Sequence, residues 1–181
     1  DLLREVEAAG AKDIVIVGSG AIGLEYGHIL NIYGVKVTIV EMMENLVPAL
    51  HEPEITDRVR KSLEKRGITV KTGSGIAGIE VQEDGLVRST LSSGEELVSE
   101  QVLVAIGRTL NTRGLGLEEL GVEMERNGQI KTDAHMRTSV PNIFAAGDIT
   151  VGTQLSDKAQ RQGLVIAETI AGNDYCINYD A

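Results

Sequence analysis

Three glycines and one acidic residue have the types and spacing that point most directly to chemistry in this chain. Gly18, Gly20 and Gly23 form a Gly-x-Gly-x-x-Gly motif, and Glu41 follows at about the spacing of 20 residues expected in a dinucleotide-binding unit. The first glycine allows a tight turn, the second lets the backbone approach a pyrophosphate, and the third brings a helix close to a sheet. The motif therefore predicts a turn that binds a dinucleotide.

The residues around these four positions support the same interpretation. Ser19, Ala21 and Ile22 lie inside the motif, where the free N–H groups of a starting helix attract phosphates. Glu41 can accept hydrogen bonds from ribose hydroxyls and would repel a 2′-phosphate, and it is followed by Met42 rather than an arginine. These features favour NAD over NADP. The alternative is a glycine-rich turn that serves only as a tight connection between a strand and a helix.

The elements that would position this turn are readable from the apolar pattern. A β-branched run at residues 14–17 predicts a buried parallel strand, and residues 35–40 and 68–71 predict two more. Between the first two strands, apolar residues recur on one helical face. These residues are Ile22, Tyr26, Ile29, Leu30 and Tyr33. Gly34 is a predicted helix C-cap, a second helix begins near Pro53, and residues 1–11 are predicted as a lead-in helix.

The pattern changes after residue 75. Residues 76–82, 86–91 and 96–99 predict an antiparallel meander, because Asp84-Gly85 and Ser93-Gly94 are turn signals. Buried strands are predicted at residues 101–107 and 143–148, and a helix at residues 156–171. The apolar positions of that helix are Ala159, Leu164, Ile166, Ala167 and Ile170. The predicted fold is α/β: a Rossmann-like, three-layer, doubly wound parallel sheet with an antiparallel β-meander insertion.

Composition excludes several classes of function. The chain has 181 residues and a formal net charge of −10, which argues against a nucleic-acid partner. It contains no apolar run of transmembrane length and no signal peptide, so we expect no membrane association and a cytoplasmic location. Cys176 is the single cysteine, which excludes an internal disulfide or a redox pair within these residues. The three histidines have no metal-ligand spacing.

Three ordered segments resemble a known family. Residues 18–25, 104–108 and 138–148 are similar to segments of the flavin-dependent pyridine-nucleotide disulfide oxidoreductases, and most of all to the dihydrolipoyl dehydrogenases. The resemblance covers nearly the whole chain. It implies an NAD-binding domain at residues 1–110 and the C-terminal part of an FAD-binding domain at residues 111–181.

The resemblance assigns roles toward NAD. It places the glycine motif on the pyrophosphate and Glu41 on the adenosine ribose. Glu25 matches an acid near the nicotinamide carboxamide, although an exposed helix acid is the plain alternative. Gly107 matches a glycine that lies against bound NAD, and Arg108 is either part of this site or an ordinary surface charge.

The resemblance also assigns roles toward FAD. Asp148, preceded by Gly147, matches the acid that binds the ribityl chain of FAD; capping the following segment is the alternative. Residues 155–163 resemble the segment that continues along the flavin. Ser156-Asp157-Lys158 departs there from the usual Ala-His-Lys, which leaves the exact family member open.

The implied reaction passes electrons from a dithiol through a disulfide and FAD to NAD. The family also has an N-terminal FAD-binding glycine loop, a redox-active cysteine pair and a C-terminal domain with a His-Glu pair, and none of these is found in the 181 residues. We therefore expect a central part of a longer enzyme, with no catalytic residue of its own and no activity in isolation. Expected partners are NAD(H), the missing domains, a second copy in a homo-oligomer and a 2-oxo acid dehydrogenase complex.

Two alternatives stay open at this point. The chain could belong to another family member, such as an NADH oxidase or a ferredoxin-reductase-like protein. It could also be a stand-alone NAD-binding module without redox chemistry. The number of cysteines preceding residue 1 in the gene would separate these possibilities.

Overall fold

The computed structural model describes residue 4 and residues 10–177, and the chain divides into two compact units, Asp1–Gly107 and Arg108–Ala181. This division lies close to the domain boundary expected at residue 110. Most of the predicted lead-in helix lies outside the described residues. Within the described part, no helix is both long enough and apolar enough to cross a membrane.

A four-stranded parallel sheet forms the centre of the first unit. Its strands are β1 (Asp13–Val17), β2 (Lys36–Val40), β3 (Thr69–Lys71) and β7 (Gln101–Val104), in the order β3-β2-β1-β7. Ile14 pairs with Val37 on one side and with Gln101 on the other, so β1 is an inner strand. Parallel neighbours bring the carboxyl ends of β1 and β2 to one edge of the sheet, where the glycine turn and Glu41 lie.

A three-stranded antiparallel meander makes a second sheet in the same unit. It consists of β4 (Ile76–Val81), β5 (Val87–Leu91) and β6 (Glu96–Ser99), in that order. Gly85 has a φ of +83° in the first hairpin, and the Asp84 carboxylate accepts a hydrogen bond from the Leu86 N–H. Both features are those expected of an Asp-Gly turn.

The parallel sheet separates two apolar clusters because alternate residues of a strand point to opposite faces. Ile14 and Ile16 pack in a cluster with residues of the helices α1 (Ala21–Ile32) and α2 (Pro53–Lys65). Val15 and Val17 pack with Leu91 and other residues of the meander. The predicted mixed α/β fold with a parallel sheet and a separate meander is confirmed. Its third layer is the meander, whereas a doubly wound fold would have helices there.

Helix α1 contacts the sheet through glycines. Its buried residues are Gly23, Gly27 and Leu30, whereas Ile22 and Tyr33 of the predicted apolar face are exposed. A Cβ on Gly27 would lie 3.2 Å from the Cδ1 atom of Ile39, so the missing side chain allows close approach of helix and sheet. The predicted face is therefore right at Leu30 and wrong at Ile22 and Tyr33, and it misses Gly23 and Gly27 because glycine contributes no apolar signal to a periodicity argument.

The second unit contains little regular structure. Residues 111–128 are irregular, as predicted, and the unit has a 3₁₀ helix (Gly147–Ile149) and helix α3 (Ser156–Ile170). The strand predicted at residues 143–148 is wrong. This segment is partly extended, but it forms only one isolated bridge, between Arg137 and Phe144, and strands need continuous neighbours to form a ladder.

Helix α3 begins at the predicted residue, ends one residue earlier than predicted, and has a different buried face. Lys158, Gln162, Val165 and Thr169 are buried, while Leu164 and Ile170 of the predicted face are exposed. Polar side chains thus occupy most of the inner face. Their spacing follows the helical repeat, but a search for apolar residues passes over them.

Candidate functional site

Two of the three glycines in the turn after β1 are required by contacts within the protein. Gly18 has a φ of +101°, and a Cβ added to it would lie 2.5 Å from the carbonyl oxygen of Ala105. A Cβ on Gly23 would lie 2.1 Å from the carbonyl oxygen of Gly18. A side chain at either position would force the backbone to move. These two glycines therefore set the tight turn and the close helix approach.

Gly20 has no such internal reason to be glycine. Its φ of −66° is open to any residue, and an added Cβ would meet nothing within 4 Å. It is the N-cap residue of α1 and no side chain caps the helix, so the first N–H groups of α1 have no side-chain partner. Ala21 and Ile22, the first residues of the helix, are also exposed. The turn presents an uncapped helix N-terminus of the kind that binds anions.

Glu41 lies directly after β2 and is buried, and both of its carboxylate oxygens accept hydrogen bonds. Oε2 accepts from the Ser19 N–H at 2.9 Å and from the Ser19 hydroxyl at 2.7 Å. Oε1 accepts from the Met43 N–H at 2.9 Å. The structure therefore brings Glu41 and the glycine turn together, as the sequence predicts. The contact with Ser19 is new, because no sequence rule links the second residue of the motif to the acid.

Ser19 also contacts a third segment. Its Oγ atom lies 3.0 Å from the backbone nitrogen of Val47, which donates to it. Val47 has a φ of +48°, an uncommon conformation for a β-branched residue. Ser19 is fully buried, so its side chain is directed at Glu41 and Val47 and not at the open space beside Gly20.

The other predicted positions of the first unit lie on its surface. Glu25 is exposed on α1, and Met42 is 69% exposed, with its side chain beside Gly75. Met42 and its neighbour Met43 are therefore surface residues. Gly107 has a φ of +137°, and a Cβ on it would meet nothing within 4 Å. Its backbone conformation calls for glycine, and the space beside it is open.

In the second unit the structure pairs Arg108 with Asp148. The Arg108 Nη1 atom lies 3.1 Å from the Asp148 Oδ2 atom, and both side chains are substantially exposed. Gly147 precedes Asp148 with a φ of +80°, and its N–H donates to the Gln162 Oε1 atom at 2.7 Å. The short 3₁₀ helix that carries Asp148 is thus hydrogen-bonded to helix α3.

Further buried hydrogen bonds connect α3 to the residues around this 3₁₀ helix. The Thr150 hydroxyl donates to the Gly147 carbonyl oxygen at 2.8 Å and lies 3.2 Å from Gln162 Oε1. The buried Lys158 amine lies 3.3 Å from Thr150 Oγ1 and 3.4 Å from the Val151 carbonyl oxygen. The sequence analysis missed Gln162 and Lys158, although their spacing of four residues on one helix face could have indicated them.

An open cavity of about 1020 Å³ lies elsewhere in the second unit. Residues 108–119 and 124–129 form most of its lining, with Arg108, Arg113 and Arg126 among them. The glycine turn does not border it.

Metal-binding groups are not assembled in the part of the chain that the structure describes. Among residue 4 and residues 10–177, no three His, Cys, Asp or Glu side chains are grouped so that they could hold a metal ion. His135 instead lies 3.2 Å, through Nδ1, from the carbonyl oxygen of Tyr175.

Comparison with known proteins gives consistent matches. The family model described as pyridine nucleotide-disulphide oxidoreductase matches residues 2–163. The dihydrolipoyl dehydrogenase of Thermus scotoductus is 39% identical over 178 residues, which cover 96% of this chain and 38% of the relative. The dihydrolipoyl dehydrogenase of Geobacillus stearothermophilus is 40% identical over 172 residues, or 94% of this chain and 36% of the relative.

A solved structure matches as well. An NAD-dependent persulfide reductase from A. fulgidus superimposes with a TM-score of 0.89 and 31% identity, covering 97% of this chain and 34% of that one. The chain spans little more than a third of the length of the curated relatives that it matches. The resemblance carried by residues 18–25, 104–108 and 138–148 is confirmed, and the chain belongs to the pyridine nucleotide-disulphide oxidoreductase family of flavin-dependent enzymes.

Proposed function

We propose that the first unit binds NAD in a dihydrolipoyl dehydrogenase-like oxidoreductase, which passes electrons from a dithiol through a disulfide and FAD to NAD. The turn at residues 18–23 holds the pyrophosphate, and Glu41 holds the adenosine ribose. Glu25 and Gly107 are assigned to the nicotinamide half by the family resemblance. Family membership supports the reaction class, and the geometry of the first unit supports the assignment to NAD.

The open space beside Gly20 is the single observation that carries this proposal. The other two glycines of the motif are explained by contacts inside the protein, but no protein atom explains Gly20, beside which the space is open. A bound pyrophosphate would fill that space, and its oxygens would accept hydrogen bonds from the free N–H groups of α1. The turn therefore fits a dinucleotide better than it fits a simple connection between strand and helix.

Glu41 supports NAD over NADP. Its carboxylate is held in place by three N–H and O–H donors, so it cannot easily turn away from a ligand. A 2′-phosphate brought beside it would face a fixed negative charge, whereas a 2′-hydroxyl can donate to it. We expect a preference for NAD of at least about tenfold, which corresponds to about 1.4 kcal/mol.

The second unit contributes to flavin binding in this proposal. Asp148 lies on a 3₁₀ helix that is hydrogen-bonded to α3, and its carboxylate is partly exposed. It is therefore accessible to a ligand hydroxyl such as those of a ribityl chain. FAD would supply the two-electron relay between the dithiol and NAD. The 181 residues contain one cysteine and therefore no disulfide pair, so we propose that this chain alone holds nucleotide without turning over lipoamide.

Binding by a Gly20→Val variant tests the proposal. The added side chain would occupy the space assigned to the pyrophosphate, so NAD binding measured by calorimetry should fall below detection. The change costs about 1 kcal/mol of stability, because valine is a poor N-cap residue. Gly78→Val is the matched control: Gly78 is a strand residue of the meander where an added Cβ also meets nothing within 4 Å.

The two variants give clear alternatives. Loss of NAD binding in Gly20→Val, with normal binding in Gly78→Val and normal circular dichroism in both, supports the assignment. A folded Gly20→Val protein with wild-type affinity for NAD would show that the phosphate site is elsewhere.

A further inference from the structure

Ser19 is the one polar side chain inside the glycine turn, and it is fully buried. Its position within the motif tolerates many residues, because the motif itself specifies only the three glycines. In this fold, however, the Ser19 side chain joins three separate segments: the turn, the end of β2 at Glu41 and the following loop at Val47.

The donors and acceptors available to Ser19 determine the direction of its two side-chain hydrogen bonds. A serine hydroxyl has one proton to donate and two lone pairs to accept with. The Val47 N–H can only donate, so Ser19 Oγ accepts from it at 3.0 Å. An ionised carboxylate can only accept, so the hydroxyl proton goes to Glu41 Oε2 at 2.7 Å. Ser19 is thus a directional link between a backbone donor and an anion.

The same count of donors and acceptors shows which part of Glu41 stays available. Oε2 receives two donors from Ser19, its N–H and its hydroxyl, and these occupy its two lone pairs. Oε1 receives one donor, the Met43 N–H, which leaves one acceptor position. A carboxylate offers about four such positions. Glu41 can therefore accept one further hydrogen bond without giving up any that it already makes.

We propose that Ser19 is a positioning residue that sets nucleotide choice: it holds Oε2 of Glu41 and thereby presents one acceptor position on Oε1 to a single ribose hydroxyl. This inference rests on the proposed NAD site and adds a specificity-determining residue to it. Ser19 prevents the carboxylate from rotating away, so a 2′-phosphate cannot be accommodated by a movement of Glu41. Through Val47 it also holds the loop that follows the acid.

The test compares hydroxyl-bearing and hydroxyl-free residues at this position. Dissociation constants for NAD and for NADP are measured by calorimetry with the wild-type protein and with Ser19→Ala and Ser19→Thr. In Ser19→Ala the ratio of the NADP constant to the NAD constant should fall about tenfold, because Glu41 loses a charge-assisted hydrogen bond and gains freedom to turn. Ser19→Thr keeps the hydroxyl and should keep the ratio within about twofold. The ratio is insensitive to any inactive fraction, because both constants come from one preparation.

Each result has a defined meaning. A folded Ser19→Ala protein with the wild-type ratio overturns the inference and leaves the proposed NAD site intact, as does an equal loss in Ser19→Ala and Ser19→Thr. A wild-type protein that binds neither nucleotide overturns the proposed function and this inference with it. If Ser19→Ala does not fold, Ser19→Cys replaces it: its weaker donor should lower the ratio, and an unchanged ratio would count against the role of Ser19.

Discussion

The two units of this chain hold the segments that carry their candidate site residues in different ways. The first unit has an aliphatic interior, with Ile14, Ile16 and Val37 almost completely hidden on one side of its sheet. The second unit has its own apolar cluster around Val122, Ile130 and Ala145, but there helix α3 also turns Lys158 and Gln162 inward, toward residues 147–151. The first arrangement is stabilised mainly by apolar burial, which is non-directional. The second depends on directional hydrogen bonds, which fix one turn in one orientation.

This difference separates two ways of preparing a binding site. In the first unit, close packing places a turn, and the space proposed for the ligand is what packing leaves empty beside Gly20. In the second unit, hydrogen bonds with Gln162 and Thr150 hold the 3₁₀ helix that carries the Asp148 carboxylate. We therefore expect the first unit to be most sensitive to added volume and the second to lost hydrogen-bond partners.

The largest expected effect is the destabilisation of the first unit by Gly23→Ala. The new Cβ would lie 2.1 Å from a backbone carbonyl oxygen, which no rotamer change can relieve. We expect a loss of about 3 kcal/mol in the free energy of unfolding, measured by urea denaturation. Gly27→Ala is the control on the same helix face, because its Cβ would meet the movable end of Ile39 at 3.2 Å. A gain in helix propensity of about 1 kcal/mol should offset that contact. Equal losses in both variants would contradict the importance of the turn.

An intermediate effect on stability is expected for Gln162→Leu, which removes the side-chain oxygen that accepts from the Gly147 N–H. The buried N–H of Gly147 would lose its partner at 2.7 Å, which should cost about 1–3 kcal/mol. Gln160→Leu makes the same change at an exposed position of α3 and should be nearly neutral. Thermal unfolding of both variants gives the comparison. A Gln162→Leu protein as stable as the wild type would show that apolar burial suffices in this unit too, and the contrast between the units would fail.

The smallest expected effect concerns the exposed pair of Arg108 and Asp148. Asp148→Asn keeps the shape and removes the charge, and since both side chains are substantially exposed the loss should be below about 1 kcal/mol. The loss should shrink further when salt is raised, because salt screens exposed charges. Thermal unfolding at low and high ionic strength measures both. A larger, salt-independent loss would mean that the carboxylate belongs to the buried network of its unit.

The elements of the first unit were predictable because their signals are local. Strand 14–17, the Asp84-Gly85 hairpin and the positive φ of Gly34, +84°, follow from residue types and spacing. The inner face of α1 was not predictable from apolar periodicity, because Gly23 and Gly27 pack by having no side chain. The approach of Glu41 to the turn was expected, but its hydrogen bond to Ser19 depends on side-chain geometry that spacing does not specify.

The second unit was less predictable for a physical reason. Residues 143–148 have the composition of a buried strand, yet a strand exists only where neighbours supply its hydrogen bonds, and composition does not report those. Burial of Lys158 and Gln162 likewise depends on carbonyl and hydroxyl groups that arrive from other segments. The roles assigned to Glu25, Gly107 and Asp148 come from family resemblance and stay predictions.

The position of β7 beside β1 has a consequence for the order in which this unit folds. Pairing β1 with β2 closes a short loop, whereas pairing Ile14 with Gln101 must wait for a long one, and distant pairings form slowly. Gly18 faces the Ala105 carbonyl just after β7, so the turn reaches its final shape only when that last strand docks. In a refolding experiment, helix content should therefore recover before affinity for NAD. NAD would then bind only chains in which the parallel sheet is complete, and it would stabilise those chains alone.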